Sequence, residues 1–370
     1  MGKTWQEGKE IEMQKNVILF TLYGLFNYGN RLQNYAAAEL IKDKNMNCTT
    51  LIVGQKSKWS EIKYWIRYIR RYVPDSMAVM RKRGFNFERF HRKYINDTWC
   101  MQDKLGELEK EYDTFVVGSD QVWNPDFSDW DEAGTYFFDF VQKGKKIALS
   151  ASIGVEELEE KHAEKMKNWL KDFSYISVRE NEAKAIVEKH TDKTAEVLID
   201  PTMALSAEKW RTIKMTNRTA KKICKKENYI LTYFLGEKTN EMLEKINRIA
   251  QENQLKVVHL NDKDYGKFYA FGPAEFVHLI DNAKLVCTDS FHGAAFSINL
   301  KTPFIVFDRK DSSKDMSSRL KTLLSKFNLE QRKWENISKE DYFSPYNNEV
   351  DTILEKERKK MDDFLSSALK

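Results

Sequence analysis

The sequence predicts an α/β protein built from two Rossmann-like domains facing a cleft, and three observations carry the prediction. Short β-branched runs alternate with helical patterns along most of the chain, the rhythm of parallel sheets covered by helices on both faces. That rhythm halts at a polar, lysine-rich stretch past the middle of the chain, and then starts again. At 370 residues and 43.7 kDa the chain also exceeds what one hydrophobic core usually organises.

The elements follow in order. NVILFTLYG (16–24) reads as a buried strand, followed by a helix around 30–43 and a strand at CTTLIVG. Further strands are expected at TFVVGS (114–119), KIALSASIG (146–154), SYISVRE (174–180) and AEVLIDPT (195–202). Helical patterns at 156–171 and 180–190 separate the last three. KMTNRTAKKICKKENY (214–229) interrupts the pattern and divides a domain at 16–212 from a domain at 213–345. The second series runs through YILTYFLG (229–236), a helix at 239–253, LKVVHLN (255–261), a helix near 273–282, KLVCTDS (284–290), a helix at 292–299 and TPFIVFD (302–308). In the final segment, 346–370, Leu354, Met361, Leu365 and Ala368 share one helical face, as in a helix that docks on a domain.

Composition narrows the class. Hydrophobic residues at 41% and aromatics at 13% can fill sizeable cores, and no run approaches the ~20 apolar residues of a membrane span. Residues 1–15 are too polar for a secretory signal and read as a flexible extension. Cys48, Cys100, Cys224 and Cys287 are scattered, which argues against a disulfide framework or a thiolate zinc site and for a cytoplasmic setting. The formal charge of +5 is modest for this length. It is concentrated in a basic helical insertion at 56–95, where residues 56–93 hold twelve Lys or Arg against three Asp or Glu, interleaved with aromatics. A partly packed helical insertion and a surface resting on anionic lipid at the inner membrane face are both consistent with it. No nucleic-acid reader fold accompanies the charge, so nucleic acid is not expected as a partner.

Chemistry-bearing residues gather where strands end. Ligands of open α/β sheets bind beyond the carboxyl ends of the strands, and helix N-termini there offer unpaired N–H groups to anions. KLVCTDS delivers Thr288, Asp289 and Ser290 to that edge, where a helix starts near His292. Ser290 can donate to a phosphate or cap the helix, Gly293 allows close approach, and His292 can move a proton near neutral pH. GSDQVW (118–123) places Ser119, Asp120 and Gln121 at a second strand end, with Trp123 as a sugar-stacking platform or a core residue. Asn27, Asn30 and Gln33 would face outward from the first helix start. Arg179 in SVRE can clamp a carboxylate or phosphate, or pair with Glu180. Arg309 and Arg319 are further cations within reach of the cleft, whereas Asp200 in IDPT reads as a turn residue.

Taken in order, NYGNRLQNYAA, GSDQVWNP, SVRE, DPT, TDSFHG and PFIVF resemble the polysaccharide pyruvyl transferase family over about residues 16–330. The resemblance implies a fold similar to GT-B glycosyltransferases and transfer of the pyruvyl group of phosphoenolpyruvate onto two saccharide hydroxyls as a ketal. It implies no cofactor or metal beyond phosphoenolpyruvate as donor, and a saccharide or lipid-linked glycan as acceptor. His292 and Asp120 become the catalytic candidates. Arg179, Ser290, Gly293, Arg309 and Arg319 become donor-binding residues. Asn27, Asn30, Gln33, Ser119, Gln121 and Trp123 become acceptor-binding residues. A nucleotide-sugar glycosyltransferase and a non-catalytic saccharide- or membrane-binding relative are the alternatives.

Overall fold

The computed structural model describes residues 15–24, 26–54, 78–126, 130, 133–309 and 318–370. All but the last residue of the expected N-terminal extension, and most of the basic insertion, lie outside these residues. Strands β1 (Asn16–Phe20), β2 (Asn47–Gly54), β3 (Asp97–Met101), β4 (Thr114–Val117), β5 (Lys145–Ala151), β6 (Phe173–Val178) and β7 (Glu196–Val197) form one parallel sheet. Their order is β3-β2-β1-β4-β5-β6-β7. Strands β8 (Tyr229–Tyr233), β9 (Lys256–Leu260), β10 (Leu285–Thr288) and β11 (Phe304–Val306) form a second parallel sheet in the order β11-β10-β8-β9. Helices cover both, as parallel sheets require. The α/β class and the two Rossmann-like halves are therefore as the sequence predicts.

The order of the strands fixes where a ligand can sit. The first sheet reverses direction between β1 and β4, and the second between β8 and β10. A crevice opens at such reversals, outside the carboxyl ends of the strands. The loops after β1 and β4 carry Asn27 and Asp120, and the loop after β10 carries Ser290.

The two halves share one core. Val17 and Leu19 of β1, Tyr229, Leu231 and Tyr233 of β8, and Val286 of β10 belong to a single apolar cluster. The alternate residues of the same strands face separate cores, Ile18 and Phe20 in one and Ile230, Leu285 and Cys287 in another. Helix α1 (Tyr28–Lys42) lies in the shared core and is buried from Tyr28 to Ala38 on every face. This explains why its polar residues do not face outward as expected. Asn30 and Gln33 are buried, and of the three acceptor candidates on this segment only Asn27, the N-cap, is exposed.

Helix α2 (Ala78–Tyr94) and β3 were not distinguished in the sequence, where both fell in or beside the basic insertion. The expected strand at 195–202 stops at Val197, because Asp200-Pro201 opens the short helix α3 (Pro201–Ala204), with Asp200 as its cap. The lysine-rich interruption forms helix α4 (Arg218–Lys226), capped by Asn217. The C-terminal helix α5 (Asn348–Ala368) reaches both halves. Arg358 donates to the Met203 carbonyl and Phe364 meets Tyr175 edge-on, while Lys326 pairs with Glu357. Among the described residues no helix is long and apolar enough to cross a membrane.

One buried arginine of α2 joins the halves. Arg83 donates to Tyr28 Oη (3.0 Å) and the Phe26 carbonyl (2.8 Å) on the first half, and to the Tyr269 carbonyl (2.7 Å) and Asn261 Oδ1 (2.8 Å) on the second. Its guanidinium also lies over the Tyr28 and Tyr269 rings. Replacing it with methionine would keep the volume but leave several buried acceptors unpaired. Arg83→Met is expected to cost about 3 kcal/mol of stability in urea unfolding. An unchanged midpoint would show that the halves do not depend on this residue.

Candidate active site

At the carboxyl edge of the first sheet, the residue after Ser119 takes a left-handed turn. Asp120 has φ of 75°, a conformation that aspartate tolerates better than most residues, and strain of this kind tends to persist where function holds it. The turn continues the sheet by one bridge to Ala151, with Ser152 N donating to the Asp120 carbonyl at 3.0 Å. It aims the Asp120 carboxylate at α1, where Asn30 Nδ2 donates to Oδ2. Gln121 N donates to Oδ1 at 3.0 Å.

Arg179 directly follows β6 and lies among three carboxylates. Its Nη1 donates to Asp200 Oδ2 at 2.6 Å, its Nη2 is 3.5 Å from Asp120 Oδ1, and its Nε is 3.9 Å from Glu180 Oε2. The guanidinium carbon sits 4.4 Å from the centre of the Phe291 ring, which belongs to the second half. Asp200 is the most heavily held of the acids. It accepts from Ser119 Oγ (2.8 Å), Arg179, Thr202 N (2.9 Å) and Thr202 Oγ1 (2.6 Å). Burial alone would raise its pKa, but Arg179, His292 and the Thr202 donors outweigh burial and hold it down at about 2. Asp120 is likewise kept below its usual value against burial, by Arg179, His292 and Arg319.

The second half contributes the N-terminus of helix α6 (Phe291–Leu300), capped by Ser290 Oγ on Gly293 N. Asp289 accepts from Leu235 N and Gly236 N, both at 2.7 Å, so it ties the loop after β8 to the loop after β10 at the second crevice. Arg309 Nε stands 3.4 Å from Asp289 Oδ2. His292 points across to the first half. Its Nε2 is 3.8 Å from Asp200 Oδ2 and makes no hydrogen bond, while its Nδ1 lies against Gly29 at the start of α1. Burial lowers its pKa, partly opposed by Asp200 and Asp120, which disfavours the imidazolium form. Arg319 is buried beside these groups, and burial with Arg179 as neighbour lowers its pKa to about 10.

The structure therefore brings together Asp120, Arg179, His292, Arg319 and Asn30, with Ser290 and Arg309 beside them. Other expectations need correction. Trp123 is no sugar platform: it is sealed in the core, stacked on Phe137 at 5.1 Å, with Nε1 donating to the Tyr136 carbonyl. Ser119 is fully buried and its hydroxyl holds Asp200. Gln33 braces Thr21, whose hydroxyl donates to the Ser119 carbonyl. Gln121 packs over Gly154, in the turn that Glu180 secures by accepting from Ile153 N and Gly154 N. Gly293 serves helix packing, because a Cβ there would collide with Thr288 Oγ1. Asp200 was read as a turn residue; it is that and also the hub of the cluster. A surface hollow at the amino edge of the first sheet, lined by Asn16, Asn47 and Asn96, holds none of these groups.

A family model described as polysaccharide pyruvyl transferase matches residues 27–312, a span that contains Asn30, Asp120, Arg179, Asp200 and His292. The chain belongs to the polysaccharide pyruvyl transferase family. Family membership makes it a transferase. No curated protein sequence matches it. Solved structures with a similar course include UDP-N-acetylglucosamine 2-epimerase from Rickettsia bellii, with TM-score 0.48, 11% identity, and 96% of each chain covered. The UDP-GlcNAc 2-epimerase from Methanocaldococcus jannaschii gives TM-score 0.47 and 12% identity over 93% of this chain and 99% of that one. The ADP-heptose lps heptosyltransferase II of E. coli gives 0.36 and 10% over 93% and 99%. Likenesses this distant carry no weight for the reaction of this family member.

Proposed function

We propose that the protein transfers the pyruvyl group of phosphoenolpyruvate to two hydroxyls of a saccharide, forming a cyclic ketal and releasing phosphate. The observation that supports this reading is the meeting of Arg179, Arg319 and His292 with Asp120 at a buried cluster drawn from both halves. The reaction needs a proton on the methylene carbon of the donor, which leaves cationic character on the central carbon. One sugar hydroxyl then attacks that carbon, the C–O bond to phosphate breaks, and a second hydroxyl closes the ring. Arg179, Arg319 and Arg309 supply charge for the phosphate and carboxylate, and their fixed positions favour the leaving dianion. Asp120, held ionised, is suited to accept the proton of an attacking hydroxyl.

His292 gains a role from the donor itself. Burial disfavours its charged form, and an anion arriving beside it draws it toward the imidazolium. A proton is then available where the donor is bound, and donor binding is accompanied by proton uptake. The setting in this reading is cell-surface or exopolysaccharide synthesis, without a metal.

Phosphate release from phosphoenolpyruvate in the presence of candidate glycans tests the reading, alongside thermal shift with phosphoenolpyruvate and a panel of nucleotide sugars. Stabilisation by phosphoenolpyruvate and glycan-dependent phosphate release are expected. Stabilisation by a nucleotide sugar alone would overturn the reading in favour of glycosyl transfer.

A further inference from the structure

Helix α2 is amphipathic in an unusual sense. The face toward the protein carries Arg83, Phe87, Phe90 and His91, all buried. The outward face carries Lys82, Phe85, Arg89 and Lys93 at successive turns, and Phe85 is 65% exposed. An exposed phenylalanine leaves an apolar area open. Arg89 lies 6.0 Å from its ring centre, so cation and aromatic stand together on one surface. On the same helix the half-buried Glu88 pairs with Arg92 at 2.7 Å.

Among the described residues the exposed large apolar side chains are Tyr23, Phe85 and Leu235, and all three belong to this region. Tyr23 follows β1 and meets the His91 ring of α2 edge-on at 5.3 Å. Leu235 follows β8, in a loop whose Phe234 carbonyl accepts from Asn261, which in turn accepts from Arg83 of α2. Tyr23 and Leu235 thus sit at the carboxyl edges of the two sheets, where the Asp120–Arg179–His292 cluster lies. Phe85 stands in the first half of α2, which starts at that edge and runs down the flank of the first sheet toward Asn96. Scattered exposed apolar residues are ordinary. Apolar residues grouped in one region and interleaved with lysine and arginine fit an interface with fixed negative charge on an apolar layer.

We propose that this region, with α2 as its basic ridge, docks on an anionic lipid bilayer surface, so that the mouth of the cleft opens at the headgroups. Lys82, Arg89 and Lys93 meet the headgroup charge, and Phe85, Tyr23 and Leu235 enter the interfacial layer. The docking does not depend on which group the protein transfers. It holds the cleft where a glycan attached to a lipid would be presented, whatever the donor.

Co-sedimentation with vesicles containing phosphatidylglycerol, against vesicles of phosphatidylcholine alone, tests the proposal with the full chain. Binding to the anionic vesicles that weakens as salt rises is expected. The combined Lys82→Glu, Arg89→Glu and Lys93→Glu variant is expected to weaken binding at least tenfold, from about fivefold per cation removed near the surface. Phe85→Ser alone should weaken it several-fold, and thermal unfolding of both variants should match the parent. Absence of vesicle binding by the parent overturns the proposal. So does undiminished binding by the triple variant, which would place the lipid contact elsewhere, and so does salt-sensitive binding to duplex DNA without vesicle binding.

Discussion

Asp200→Asn is expected to destabilise the protein by about 3–5 kcal/mol at neutral pH, the range seen when one partner of a buried ion pair is removed. The carboxylate has no exposure and accepts from Arg179, Ser119 and both donors of Thr202, so no rearrangement toward water is open to it. An asparagine keeps one acceptor oxygen but turns an amide toward Arg179. The variant also changes the response to acid. The folded-state pKa of Asp200 is about 2, below its ordinary 3.8, so ionised Asp200 adds stability that is fully present above about pH 4. That contribution, about 2 kcal/mol by linkage, is lost as pH falls from about 4 through about 2. In thermal unfolding followed from pH 6 to pH 2, the parent should lose stability steeply over the last two units. The asparagine variant should start lower and fall less. Asp120, depressed in the same direction, leaves a residual slope in both. Equal slopes would show that Asp200 is not held as an anion by Arg179.

The two-sheet plan was readable because parallel strands buried on both faces leave continuous apolar runs, as in NVILF and YILTY. The positions of Asp120, Ser290 and His292 were readable for a related reason: the turn at a strand's carboxyl end selects short polar side chains and helix caps. What the sequence withheld depends on distant partners. IDPT is a capping turn in sequence and in structure, but the weight on Asp200 comes from Ser119 and Arg179, 81 and 21 residues away. Trp123 was ambiguous because a tryptophan beside a polar turn suits a sugar or a core, and only Phe137 and the Tyr136 carbonyl decide it. Arg83 was one basic residue among twelve in its segment, and burial, not type, sets it apart. The outward orientation expected for Asn30 and Gln33 failed because α1 sits in a core shared by both halves. A single-domain picture of a helix start does not anticipate that.

Gly29→Ala should reduce turnover by about a hundredfold, the loss that a displacement on the order of 1 Å brings to a reacting group. In an ordinary helix this exchange stabilises by roughly 1 kcal/mol, because alanine loses less backbone freedom than glycine. At position 29 the new Cβ would occupy the place of His292 Nδ1, so the gain in propensity is set against a collision with an aromatic ring across the cleft. The ring cannot retreat freely. Phe291 packs beside it at 5.3 Å between ring centres, and Asp200 faces its Nε2. Either His292 rotates away from Asp200 or the two helix starts separate, and each outcome removes the imidazole from the Asp120–Arg179 cluster. The NMR signals of the His292 ring should shift in the alanine variant while the rest of the spectrum stays near that of the parent, a readout independent of the reaction catalysed. Phosphate release from phosphoenolpyruvate supplies the second readout, with His292→Gln as reference. If Gly29 acts through His292, the double variant should be no slower than His292→Gln alone, because residues in contact are not additive. Fully additive losses would mean that Gly29 serves α1 by another route, and that the meeting of the two helix starts does not set the position of the histidine.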